Sequence, residues 1–158
     1  MLDKKYFEQI RQELLGYAVK RRGVIKDAGD AQHMAKKAIF AMQRDGTKEA
    51  SDLLVQAEKI LIELNDKNKK EPGIFEEGSY KAALEEYIEA YLFHQYLEKK
   101  MIGKLSKIKV DPDIFISGLC DVPGELLRYA IKSATEKNFA EVKRCREAAE
   151  EIIGMVLN

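Results

Sequence analysis

The chain has 158 residues, with Lys and Arg (27) matched by Asp and Glu (27) for a formal net charge of zero. That balance excludes a chain steered as a whole toward nucleic acid or anionic membrane, though it leaves room for local basic patches. The length suits one domain over 1–158, long enough to bury roughly 70% of its unfolded surface, and no run approaches the ~18 apolar residues of a membrane span.

Only three prolines and ten glycines punctuate the sequence, strand-like alternation is almost absent, and apolar residues recur at helical spacing. The pattern predicts an all-α, antiparallel or superhelical bundle of about five or six helices. The first helical region runs from about Lys4 to Arg44, with stripes at Tyr6, Ile10, Leu14, Tyr17 and at Ala31, Met34, Ala35, Ala38, Ile39, Met42. Gly23 and Gly29 are places for a bend or tolerated positions in one long helix. Thr47 is the expected cap of a helix from Lys48 to about Leu64. A polar linker follows at 65–73, then a helix from about Phe75 to Lys100, and the short basic connector IGKLSKIK. Asp111-Pro112 is a helix start, with Asp111 as N-cap and Pro112 at the first position. That helix reaches about Thr135, with Pro123 as a point for a kink, and Asn138 caps a last helix through Met155.

Four carboxylates carry the chemistry. Glu86 and Glu89 lie in EEYIEAYLFHQYL, and Asp121 and Glu125 in SGLCDVPGELLR. At 100° per helical residue the members of the first pair are about 60° apart and those of the second about 40° apart, so each pair points to one side of its helix. If the two helices pack together, four acidic oxygen donors converge with no His or Cys among them. Such a donor set suits Mg²⁺ or Mn²⁺, and hence phosphate-ester hydrolysis. Glu86 and Glu89 share a face with Ala82, Phe93 and Tyr96, and the opposite face carries Leu84, Ile88, Tyr91 and Leu92. A helix apolar on both faces is buried for much of its girth, and carboxylates inside it need protons, cationic partners or a metal. Glu85, about 100° from Glu86, is expected to be exposed. The second pair has blander readings as well: a solvated polar stripe with a Glu125–Arg128 ion pair, or Asp121 as the N-cap of a helix starting at Val122-Pro123. Phe115, Leu119, Leu126 and Ala130 form the expected core face there.

Three blocks, taken in order, resemble the translin family, and its Trax (translin-associated factor X) branch in particular. They are KKAIFAMQRD at Lys36–Asp45, EEYIEA at Glu85–Ala90 and GLCDVPGELLR at Gly118–Arg128. The resemblance implies a superhelical all-α fold assembled into a closed homo-oligomer. It also implies metal-dependent endoribonuclease activity on single-stranded RNA, with Glu86, Glu89, Asp121 and Glu125 as catalytic and Mg²⁺ or Mn²⁺ ligands. It points to a stand-alone prokaryotic form.

Basic residues give candidate nucleic-acid contacts for single-stranded RNA or DNA: Arg21, Arg22, Lys36 and Lys37 on the first helix, and Arg128, one turn beyond Glu125. A second basic group, Lys99, Lys100, Lys104, Lys107 and Lys109, surrounds the connector. Tyr80, Tyr87, Tyr91 and Tyr96 read as core rather than as a base-stacking platform. Two cysteines, Cys120 and Cys145, read as reduced small hydrophobes in a cytoplasmic protein without membrane attachment. The rival readings are an all-α nucleoside-triphosphate pyrophosphohydrolase, which also holds Mg²⁺ with Glu-x-x-Glu, and a nucleic-acid-binding oligomer without catalysis. A di-iron bundle needs Glu-x-x-His, which His94, five residues after Glu89, does not supply.

Overall fold

The computed structural model describes residues 1–157, apart from the Pro72 side chain, and shows an all-α fold of six helices with no strand among the described residues. They are α1 (Lys4–Met42), α2 (Thr47–Lys67), α3 (Pro72–Phe75), α4 (Gly78–Lys99), α5 (Pro112–Thr135) and α6 (Phe139–Leu157). None of them is long and apolar enough to cross a membrane.

Helix α1 is one continuous helix through Gly23 and Gly29, started by Asp3, whose carboxylate accepts from the Lys5 and Tyr6 amides. It ends where Asp45 takes a left-handed φ of 61° and the Gly46 amide donates to the Ala41 carbonyl. Gly46, not Thr47, is therefore the N-cap of α2, and Thr47 is its first helical residue. The α1 turn has already fixed the Gly46 backbone, so no side-chain cap is needed. The linker expected at 65–73 is partly helical: α2 runs on to Lys67, and Asn68 is buried, donating to the Leu64 carbonyl. Asp111 and Pro112 start α5 as expected, although the Asp111 side chain makes no capping bond, and Asn138 accepts from the Glu141 amide at the start of α6.

Helix directions follow from the contacts. α1 and α2 form an antiparallel hairpin, as do α5 and α6. α1 and α4 run the same way, since Arg21 pairs with Glu77 and Lys36 with Glu86. α4 and α5 are also parallel, because Gly118 meets Glu85 and Ile88 while Tyr129 packs edge-on against Phe93. The segment between them makes this possible by running back along α4. Gln95 holds Gly103 and Lys104, Tyr91 holds Ser106, and Lys107 reaches Glu58. A basic stretch expected as a simple connector is thus an extended return strap. Two of its cations are committed to structure: Lys107 pairs with buried Glu58, and Lys100, at its start, with buried Glu141.

The core is continuous across α1, α2, α4, α5 and α6, and α4 lies at its centre. Tyr80, Tyr87, Leu92, Phe93 and Tyr96 of α4 are all buried, and Tyr91 is half-buried, as its two apolar faces require. On α5 Leu119, Leu126 and Ala130 are buried as expected, together with Gly118, Val122 and Glu125, whereas Phe115 is only half-buried. Cys145 is buried and Cys120 exposed, and both are free thiols.

Candidate active site

Helix α4 brings Glu86 and Glu89 to its partly buried face, and α5 brings Asp121 and Glu125 beside them. Pro123 lies inside α5, which stays continuous from Pro112 to Thr135. Asp121 is therefore a mid-helix residue, and the reading of it as the N-cap of a helix beginning at Val122 is overturned. Proline's missing N–H releases one carbonyl of the preceding turn, a local loss that the surrounding packing tolerates. The solvated-stripe reading holds for Asp121 and Arg128, which are exposed, but fails for Glu125, which is 9% exposed. Its ion pair with Arg128 is nonetheless present, at 3.4 Å.

The closeness of the two helices has a cause in sequence. A Cβ built on Gly118 would lie 2.7 Å from the Glu85 carbonyl oxygen and 2.7 Å from Ile88 Cβ. Only glycine lets the backbones approach this far. The same contact leaves Glu85 half-buried rather than exposed.

The four carboxyl groups act on one another. Burial first, then the charges of Glu86, Glu125 and Asp121, push the Glu89 carboxyl up to about 8, against a smaller pull from Arg128. Burial also raises Glu86, with Lys36 and Gln32 opposing and Asp121 reinforcing. Glu89 feels the like charges of all three other carboxylates.

Helix α1 supplies a third wall that the sequence reading did not assign to the carboxylates, apart from Lys36 as a nucleic-acid contact. Gln32, Lys36 and Gln43 lie within about 40° of one another on its surface. Lys36 Nζ is 3.5 Å from Glu86 Oε2, and the Gln32 side chain also favours the ionised form of that carboxylate. Gln43 Nε2 donates to Glu125 Oε2 at 2.8 Å and to the Glu125 main-chain oxygen at 3.0 Å. The outer glutamates are thereby drawn toward α1 and Arg128. Among the described residues no three His, Cys, Asp or Glu side chains are grouped as a ready metal site.

The other candidate contacts are dispersed. Arg21 is half-exposed and paired with Glu77 at 2.6 Å, and Arg22 donates to the Ala18 carbonyl. Arg22 and Lys37 are exposed on α1. A cavity of about 660 Å³ lies elsewhere: an apolar groove between the strap, α5 and α6, lined by Ile102, Leu105, Phe115, Leu119 and Ile152.

The translin family model matches residues 19–154, which include all three walls of the site. The chain belongs to the translin family. No curated protein sequence matches it. Its fold is similar to that of apo-NeC3PO, with a TM-score of 0.87 at 20% identity, over 99% of this chain and 82% of that one. It is similar to AfC3PO in complex with duplex RNA, with a TM-score of 0.88 at 23% identity, over 96% and 78%. The AfC3PO crystal structure gives the same TM-score, 0.88, at 24% identity over the same shares of the two chains, 96% and 78%. At these identities the likeness speaks for the fold. Among the described residues this chain builds the fold from helices alone, and the carboxylate pairs fall on two of them.

Proposed function

We propose that this translin-family protein is a Trax-type, metal-dependent endoribonuclease acting on single-stranded RNA. The observation that carries the reading is the close approach of α4 and α5 at Gly118, beside which burial and the charges of Glu86, Glu125 and Asp121 raise the Glu89 carboxyl. Carboxylates from two helices that repel one another in a half-buried site form a place for a hard cation. The donor set fits Mg²⁺ or Mn²⁺: oxygen donors only, and Gln43 Oε1 buried without a hydrogen-bond partner beside them. Glu86, Glu89, Asp121 and Glu125 would hold the ion, which supplies charge stabilisation at phosphate and a more acidic bound water. Glu86 and Glu125 are flexible side chains held by Lys36, Gln32, Gln43 and Arg128, and a cation competes with those partners for them.

The chain's own residues supply the rest. Lys36 and Arg128 border the acidic group, each paired with one outer glutamate. Released from those carboxylates, the two cations hold the phosphates on either side of the scissile bond. Glu89, whose carboxyl is pushed up to about 8, takes the proton from the attacking water once it is ionised. Family membership, and the duplex RNA bound by AfC3PO, support RNA as the polymer.

The test is cleavage of a fluorescently labelled single-stranded RNA with Mg²⁺ or Mn²⁺, with EDTA and with Glu89→Gln. Cleavage lost in both cases, with RNA binding retained by Glu89→Gln, is the expected result. Pyrophosphate release from a free nucleoside triphosphate, with the RNA left intact, would move the assignment to a pyrophosphohydrolase.

A further inference from the structure

Gln43 is the C-cap residue of α1. Its amide donates to the Ile39 carbonyl at 3.0 Å, and the chain reverses two residues later at Asp45. Its backbone is therefore fixed by a helix end packed on the core at Met42, which is fully buried.

Its side chain makes two bonds, both to Glu125: one to the carboxylate and one to the main-chain oxygen. Both partners are pure acceptors, so the group between them is the NH₂, and the orientation of the amide is settled by chemistry. The opposite atom, Oε1, is buried with no hydrogen-bond partner. A buried amide oxygen left unpaired is costly, because it loses its bond to water without replacement. Surface glutamines do not carry that cost, because they turn to water. Here the double grip on Glu125 holds the amide in the costly orientation, beside a group of carboxylates that offers no donor while ionised.

Resting on the metal-site reading above, we propose that Gln43 is a positioning residue of that site. Nε2 holds Glu125 at the site by side chain and main chain together. Oε1 accepts a hydrogen bond from a water bound among the carboxylates and so orients it. The arrangement is asymmetric in a useful way: the amide gives to the ligand that should stay put and takes from the water that should be aimed. Lys36 performs no equivalent service for Glu86, since it offers no acceptor at all.

The experiment compares wild type with Gln43→Leu and Gln43→Asn. Leu removes both functions at similar volume, and Asn keeps the amide but draws it back by one methylene. Three quantities are read: Mn²⁺ affinity by calorimetry, kcat and KM on single-stranded RNA, and the melting temperature without metal. Loss of a partner that orients a metal ligand typically costs 10–100-fold in affinity or activity, and about that loss is expected in Mn²⁺ affinity or kcat for both variants. KM for RNA should stay within about twofold, because Gln43 touches no phosphate in this arrangement. A merely structural role would instead lower the melting temperature and leave the folded fraction fully active. If Leu fails to fold, the Asn variant decides. Variants that keep wild-type Mn²⁺ affinity and kcat overturn the Gln43 inference and leave the nuclease reading standing. A wild-type protein that binds no Mn²⁺ and cuts no RNA overturns both.

Discussion

Gly118 on α5 meets the Glu85 carbonyl on α4 so closely that a methyl group at position 118 would sit 2.7 Å from that oxygen. The obstacle is backbone, so it cannot be relieved by turning a side chain. Gly118→Ala should therefore push α5 off α4. Overpacking of this kind costs about 1–3 kcal/mol, to be read as a lower urea midpoint. The same displacement separates Asp121 and Glu125 from Glu86 and Glu89, so Mn²⁺ affinity should fall in the folded fraction. Gly124 has open space where a Cβ would go, and Gly124→Ala is the matched control. Equal stability of the two variants would show that the close approach is not required.

Glu89 makes stability depend on pH. Its carboxyl is raised from 4.5 to about 8 in the folded protein, chiefly by burial. A raised acid binds its proton more tightly in the folded state. Without metal, the folded form should therefore lose stability progressively as pH rises from about 4.5 to about 8, and no further from this group above that range. Glu89→Gln removes the ionisation while keeping the volume. It should be more stable than wild type at pH 8, no more stable at pH 4, and flatter between them. Unfolding midpoints in EDTA across this range check it, and parallel curves for the two proteins would rule the effect out.

Lys36 and Arg128 are each about half-exposed and sit beside the acidic residues, whereas Arg21 is committed to Glu77 about 22 Å further along α1. Each phosphate contact on a single strand contributes about 0.7 to the slope of log affinity against log salt. Lys36→Gln and Arg128→Gln should each reduce that slope by about this amount, and Arg21→Gln by much less. RNA titrations at several salt concentrations measure it. An unchanged slope for both site variants would place the RNA path elsewhere on the surface.

The all-α class, most helix limits and the pairing of Glu86 with Glu89 were legible because each depends on local periodicity. Pro112 after Asp111 marked α5, and Asn138 marked α6, through chemistry confined to one turn. What could not be read needed partners distant in sequence. The Gln43–Glu125 bonds join residues 82 positions apart. Gln32 and Gln43 shared a stripe with Lys36, but nothing local said which helix that stripe would face. Gly118 lay inside a recognised block, yet its role is set by the Glu85 carbonyl. The return path of the strap, and with it the parallel α4 and α5, came from polar residues such as Gln95 and Ser106 that carry no periodic signal. Thr47 was misread as a cap because the turn that fixes Gly46 belongs to the preceding helix.

The first part of α1 predicts assembly. Buried positions on this helix begin only at Val24. Before it, Tyr6, Phe7, Leu14, Leu15 and Val19 are each at least half exposed, on a stretch of helix about 30 Å long. Polar links near its middle tie it down: Lys20 pairs with Glu71, and Arg21 with Glu77. Apolar surface of this extent is normally covered by another chain. The expected outcome is a homo-oligomer, seen in light scattering as a multiple of 18.0 kDa at micromolar concentration. The double change Leu14→Glu and Leu15→Glu should lower that mass while leaving the helical circular dichroism of the bundle nearly intact, since neither side chain belongs to the core. If the assembly encloses the acidic sites, the smaller form should also cut structured RNA that the wild type leaves alone. A wild-type monomer of full activity would show that enclosure plays no part in substrate choice.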